Sequence, residues 1–255
     1  MLATTAQAAA SATLSGPILK SVLQIANALD MDEFLLTCEG TTAKLEAMNA
    51  AKTCLIEANM DMPAPVAAKV QFRQDTKRFG KAAKPFFADE AVEVTMQGNM
   101  MSLKASRRKA TSACLPTETF GLPANFKVPR GLPWNAEVVV EKAALNRMFG
   151  DSDLTKRDKD DMVLARLSVH DGDDSFFFDR GEEGSDRYEE SVPGVASGGP
   201  CAVRFDVEYL RSVLAPCSAK VVKMQLGTDL PAAFHYEIPA GTVYALVAPF
   251  TEPDS

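Results

Sequence analysis

Histidine, tryptophan and paired cysteines are the scarce features of this chain. Only His170 and His235 occur, and Trp134 stands alone. Both histidines sit in alternating, strand-like contexts without a nucleophile motif nearby, so a Ser-His-Asp or Cys-His arrangement has little to draw on. The five cysteines (Cys38, Cys54, Cys114, Cys201, Cys217) are odd in number, and none is spaced as CxxC. That argues against a disulfide framework or a zinc site and for reduced thiols. GxGxxG, GxxxxGK[ST] and HExxH are missing, so no phosphate cradle or metalloprotease signature is present. No apolar run approaches the roughly 20 residues that span a bilayer, and no membrane role is expected. The first residues, MLATTAQAAASATLSG, lack a basic region and a strong apolar stretch, which reads as an N-terminal extension rather than a signal peptide. No catalytic residue, metal or cofactor is expected, and the chain reads as a binding or scaffold protein.

What is present is ordinary globular material with an uneven charge. Of 255 residues, 46% are hydrophobic and 24% charged, and the net charge is -7. That length admits one large domain or two of about 125 residues. Against the acidic balance, KVQFRQDTKRFGKAAKPF (69–86) carries Lys69, Arg73, Lys77, Arg78, Lys81 and Lys84 with Asp75 as its one acid. Asp75 can cap a helix. Beyond it, Lys77, Lys81 and Lys84 recur at i, i+4, i+7 and share one face, with Phe79, Ala82, Ala83 and Phe86 towards the other. A helix that is merely solvated is the plain alternative, but such a helix usually mixes charges in Glu–Lys pairs. Acids gather elsewhere, in DGDDSFFFDRGEEGSDRYEE (171–190). A cationic face of this kind suits a phosphate backbone, bound through counterion release without base reading.

The two halves echo each other. KVQFRQDTKRFGKAAKPFFADEAVEVTMQGNMMSL (69–103) aligns with AVRFDVEYLRSVLAPCSAKVVKMQLGTDLPAAF (202–234), with Phe72 on Phe205. In each, a helical segment precedes an alternating strand (Val92, Val94, Met96; Val222, Met224, Leu226), a polar turn and another strand. ILKSVLQIANAL (18–29) shows the spacing of a one-sided buried helix, with Ser15 as cap and Pro17 in its first turn; EKAALNRMF (141–149) is its shorter counterpart. The expected fold is α+β, two similar duplicated domains with antiparallel sheets. The expected boundaries are an extension at 1–14, a first domain at 15–114, a connector at 115–134 and a second domain at 135–255. The connector carries Pro116, Pro123, Pro129 and Pro133, which forbid helix and mid-sheet placement. It also carries Phe120, Leu122, Phe126, Leu132 and Trp134, enough apolar surface to pack on the domains or to line a groove.

Several segments, taken together and in order, resemble the sliding-clamp family of proliferating cell nuclear antigen (PCNA). They are MQLGTDLPAAFHYEIPAGTVYALVAPFTE (224–252) with its Asp229-Leu230-Pro231 and Ala248-Pro249, KLEAMNAAKTCLI (44–56), GLP (131–133) and FDVEYLRSVL (205–214). The resemblance implies three chains joined head-to-tail, a homotrimeric ring with helices lining the hole and sheets outside, encircling duplex DNA. It implies a non-enzymatic processivity factor for DNA replication and repair. Lys20, Lys77, Lys81, Lys84, Arg147 and Arg211 would face DNA. Met48, Lys52, Thr53, Leu132, Pro231, Leu246, Ala248 and Pro249 would form a groove for short apolar and aromatic motifs of polymerase, clamp loader, nucleases and ligase. The location implied is intracellular: nucleus, archaeal cytoplasm or a virus's host cell. The chain departs from the family pattern at Ser21, where a second basic residue often follows the position of Lys20, and at Leu246, where an aromatic is usual.

Subunit contact is read from charge. Arg107, Arg108 and Lys109 lie on the strand-like SLKASRRKATSACL (102–115), while SDRYEES (185–191) offers Asp186 and Glu189. Pairing of these edge strands between neighbours would close a heterologous ring. Two other readings stand beside the homotrimer. One is a subunit of a hetero-oligomeric clamp, of checkpoint type or built from mixed paralogues. The other is a two-domain enzyme with an unrecognised site.

Overall fold

The computed structural model describes residues 10–115, 128–152, 164–181 and 186–251. It divides into two compact units: residues 1–50, 57–126 and 239–242 form the first, and 51–56, 127–238 and 243–255 the second. Unlike the contiguous domains 15–114 and 135–255 expected from the sequence, the short segments 51–56 and 239–242 are assigned away from their neighbours in the chain.

In the first half of the chain, β1 (Ala10–Ser15), α1 (Gly16–Ala28), β2 (Glu33–Glu39), β3 (Thr42–Met48), β4 (Cys54–Asp61), β5 (Val70–Asp75), α2 (Thr76–Ala83), β6 (Ala91–Gln97), β7 (Met100–Ala105) and β8 (Arg108–Ala113) follow in order. One sheet runs β1-β6-β7-β8, and β4-β3-β2-β5 are successive neighbours in a second; the β1–β6, β2–β3, β2–β5, β6–β7 and β7–β8 ladders are antiparallel. In the second half come β9 (Ala136–Glu141), α3 (Lys142–Asp151), β10 (Leu164–Val169), β11 (Phe176–Arg180), β12 (Tyr188–Val192), β13 (Ala196–Gly198), β14 (Cys201–Asp206), α4 (Val207–Leu214), β15 (Val221–Leu226), β16 (Ala232–Ile238) and β17 (Gly241–Val247). Their orders are β9-β15-β16-β17, with β13 added outside β9, and β12-β11-β10-β14. Apart from β13, the two plans superpose element for element, which is the duplication expected from the sequence.

Local chemistry repeats as well. β5 and β14 each end in an aspartate that caps the next helix. Asp75 accepts from the Arg78 amide at 2.7 Å, and Asp206 from the Glu208 amide at 2.9 Å. These side chains satisfy amide donors that the first helical turn leaves unbonded. Ser15 does the same for α1, accepting from the Ile18 amide at 3.4 Å, with Pro17 in the first turn. Each helix turns an apolar stripe inward: Ile18, Leu19, Val22 and Ile25 on α1 and Val207, Leu210, Val213 and Leu214 on α4 are buried.

Three expectations are corrected. Residues 10–14, assigned to an extension, form most of β1; Ala12 and Leu14 are buried, and Leu14 sits opposite Val92 on β6. The segment 102–115 is not one strand. Ser106 and Arg107 form the turn of a β7–β8 hairpin, and Ser106 adopts φ 49° to make it. The basic helix stops at Ala83; Lys84–Phe86 is a single 3₁₀ turn containing Pro85. The connector residues Pro116, Phe120, Leu122, Pro123 and Phe126 lie outside the described residues.

Candidate nucleic-acid interface and partner groove

The cationic face of α2 is built by what lies beneath it. Phe79 is fully buried and meets Phe34 edge-on, with ring centroids 5.0 Å apart at 85°. Ala83 and Phe86 are buried beside it. With that stripe fixed inward, Lys77, Arg78, Lys81 and Lys84 are all exposed. Gly80 lies where α1 approaches: a Cβ there would stand 3.2 Å from the Leu23 side chain. On α1, Lys20 is exposed, while Ser21, at the position where the family often has a second basic residue, is buried at 3%. The first unit therefore presents Lys20, Lys77, Lys81 and Lys84 to solvent on two packed helices and the turn after them.

The second unit treats its candidate cations differently. Arg147 on α3 is exposed but donates through Nε to Glu190 on β12 at 3.1 Å, and its Nη2 pairs with the same carboxylate. Tyr188 also donates its hydroxyl to Glu190. Burial pushes the Glu190 carboxyl up, but hydrogen bonds from Arg147 and Tyr188 outweigh it and hold the group below its ordinary value. Burial, then the bond to Glu190, pushes the Tyr188 phenol up. Arg211 on α4 is half-buried, donating to the Phe149 carbonyl at the end of α3 and pairing with Glu208 at 2.9 Å. Buried Arg180 donates to the Ser152 carbonyl just beyond. Two guanidinium groups thus meet the negative end of α3, where a helix leaves carbonyls unbonded. Arg147 and Arg211 were read as DNA-facing alongside the lysines; both are engaged within the chain.

Of the expected groove residues in the second unit, Thr53 and Ala248 meet just beyond the end of β17. The Ala248 amide donates to the Thr53 carbonyl at 2.7 Å, and Lys52 beside it adopts φ 58°. Thr53, Leu132, Pro231, Ala248 and Pro249 are half-buried and Lys52 is exposed, whereas Leu246 is buried at 3%. Leu246, expected in the groove, thus has little surface to offer a partner. Met48 ends β3 in the first unit, half-buried. A residue missed in the sequence, Tyr244, holds the connector. Its hydroxyl donates to the Pro129 carbonyl at 3.0 Å, the Arg130 guanidinium lies 3.8 Å from its ring centroid, and His235 packs on it at 4.6 Å. Burial, with Arg130 and Lys223 nearby, lowers the His235 pKa. The only sequence signal was the connector's own apolar content.

The proposed contact strands occupy exposed positions at sheet ends. β8 is the outer strand of β1-β6-β7-β8, and β12 of β12-β11-β10-β14. Arg107 and Lys109 are exposed. Arg108 is exposed too, but donates to the Pro85 carbonyl and to Glu90 and lies over Phe86. Asp186 and Glu189 are exposed, and Glu189 pairs with Arg187. Among the described residues, no cluster of three His, Cys, Asp or Glu is placed to hold a metal ion, and no helix is long and apolar enough to cross a membrane.

No protein-family model and no curated protein matches the chain. Solved structures do. The structure of the C-terminal region of FEN-1 bound to A. fulgidus PCNA matches with a TM-score of 0.78 and 16% identity, covering 96% of this chain and all of that one. PCNA from Thermococcus kodakaraensis matches at 0.73 and 18% identity, over 94% and 99% of the two chains. A DnaN sliding clamp from Pseudomonas aeruginosa, bound to griselimycin, matches at 0.76 and 17% identity; this chain covers 65% of its length. The fold is that of the sliding clamps.

Proposed function

We propose that this chain is a subunit of a DNA sliding clamp: a ring that encircles duplex DNA and tethers enzymes to it without doing chemistry itself. The observation that carries this is the stripe of exposed lysines on α2 and α1, displayed by a duplicated clamp fold on an otherwise acidic chain. Exposed ammonium groups exchange phosphates readily, each contact being weak in water and screened by salt. A ring held by topology needs no more than that, and weak contacts let it slide. The A. fulgidus clamp binds the C-terminal region of FEN-1; we infer that Thr53, Leu132, Pro231, Ala248 and Pro249 form the corresponding groove for short peptides of polymerases and nucleases. Closure would pair β8 of one copy with β12 of the next, basic Arg107 and Lys109 facing acidic Asp186 and Glu189. Such an end-to-end contact repeats without using itself up, so three copies can close.

The deciding experiment has two steps. Native mass across a dilution series should show a species three times 27.4 kDa. That species, loaded on nicked circular DNA, should be released when the circle is linearised. A stable monomer would overturn the homotrimer in favour of a mixed ring. Retention on linear ends, or no retention on circles, would overturn the clamp reading.

A further inference from the structure

One phenol ring in the second unit holds the connector and carries a titratable neighbour. Tyr244 on β17 is buried at 4%, and its hydroxyl donates to the Pro129 carbonyl at 3.0 Å. The guanidinium of exposed Arg130 lies 3.8 Å from the centroid of the same ring. The half-buried imidazole of His235, on β16, lies 4.6 Å from it at 58°. A phenol face attracts a cation, and neutral His235 leaves Arg130 as the cation resting there. A charged His235 would place two cations within 4.6 Å of one ring centroid. The charges that act on His235 are Arg130 from the connector, Lys223 from β15 and Glu137 from β9, and Gln225 Oε1 stands 3.3 Å from its Nε2. Lys223 and Glu137 pair with each other at 2.7 Å, so their charges largely cancel and Arg130 dominates. Burial, then Arg130, then Lys223 hold the imidazole below its ordinary value of 6.5, with Glu137 opposing.

We propose that His235 is a pH-sensitive latch on the connector: once protonated, it expels Arg130 from Tyr244 and frees the strap from Pro129 to Pro133. Val128, buried at 3%, marks where the strap begins. The direction follows from linkage. Lifting the strap takes the Arg130 charge away from His235, while Lys223, Glu137 and Gln225 belong to the sheet and stay. His235 therefore holds a proton more firmly with the strap released than with it held. The held strap is favoured while the imidazole is neutral and is lost as pH falls below 6.5. Each unit by which the held strap lowers the histidine's pKa changes the release equilibrium about tenfold. Leu132, an expected groove residue, lies two positions past Arg130, so release also disturbs the groove. That consequence rests on the groove reading above; the latch itself does not.

Trp134 gives the test a local reporter. It is the chain's only tryptophan, half-buried and four residues past Arg130. Acrylamide quenching of the full-length protein is followed from about pH 8 to about pH 5, the range in which histidine changes charge. Trp134 should become more accessible as pH falls, in one titration with its midpoint below 6.5. The profile should be flat in H235Q, whose amide takes up no proton. In R130Q the His235 titration, read from its ring protons by NMR, should move up towards 6.5, which a purely structural arginine would not cause. A synthetic peptide with apolar and aromatic anchors and no titratable side chain should lose affinity over the same range, about tenfold for each unit of that rise. In H235Q its affinity should not depend on pH. A Trp134 profile unchanged by H235Q, or a His235 titration unmoved by R130Q, would overturn the latch. A peptide that binds at no pH while Trp134 still titrates would sink the groove reading and leave the latch standing.

Discussion

Replacing Lys77, Lys81 and Lys84 together with alanine isolates the cationic stripe from the fold that carries it. All three are exposed, while Phe79, Ala82, Ala83 and Phe86, which hold the segment down, are untouched. Stability should change by no more than about 0.5 kcal/mol, the usual range for surface substitutions away from special features. Lys81, in the last turn of α2, contributes a few tenths of that through the helix dipole. The effect on DNA should be large. Each phosphate neutralised contributes about 0.9 to the slope of log affinity against log salt. For each copy whose α2 touches the duplex, the triple variant should flatten the slope by roughly 0.9 to 2.7. Anisotropy of a labelled duplex, titrated at salt from roughly 50 to 200 mM, reads this directly. An unchanged slope in a normally folded triple variant would refute the DNA-facing role. R147A and R211A serve as the contrast: each removes an arginine already engaged with Glu190 or the Phe149 carbonyl, so each should move the slope less and the melting temperature more.

Phe79→Ala should lose about 3 to 5 kcal/mol in a denaturant titration, because it empties a fully buried aromatic site and the edge-on contact with Phe34. Arg107→Glu with Lys109→Glu should shift the assembly toward monomer on dilution, by light scattering; Arg108 is left in place because its bonds to Pro85 and Glu90 would confuse the result. An intact oligomer at low concentration would exclude β8 from the contact. Burial pushes the Cys54 thiol up to about 12 from an ordinary value of 9.0. The folded state therefore keeps a proton that the unfolded state releases, and this contribution is complete below pH 9.0 and lost as pH rises towards about 12. Cys54→Ala should flatten the alkaline fall of the urea midpoint, whatever its effect on the level at neutral pH; parallel curves would contradict the assignment.

How far the sequence revealed the molecule depended on how local each feature was. The stripe on α2 was legible because Lys77 and Lys81 lie one helical turn apart and Asp75 marks the start. The paired plan was legible because Phe72 and Phe205 precede matching strand, aspartate and helix. β1 was not: ASATLS is small and weakly apolar, and only its ladder with β6, some eighty residues on, makes Ala12 and Leu14 core. Arg147 and Arg211 looked free because their partners, Glu190 and the Phe149 carbonyl, lie 43 and 62 residues away. Tyr244 was missed for the same reason, its bond to Pro129 spanning 115 residues. Charge type is written locally; whether a charge is already spent is decided by what folds next to it.

That inequality between the two units bears on how a duplex would travel. Each copy offers one strongly cationic helix pair, α1 with α2, and one whose arginines are internally committed, α3 with α4. If three copies closed head-to-tail as proposed, the lining would alternate between sticky and slippery sectors rather than form an even sleeve. A duplex inside would lean on one sticky sector at a time and step to the next as it turned. Its passage would then have a threefold rhythm, seen as a preferred tilt whose dwell shortens as salt is raised.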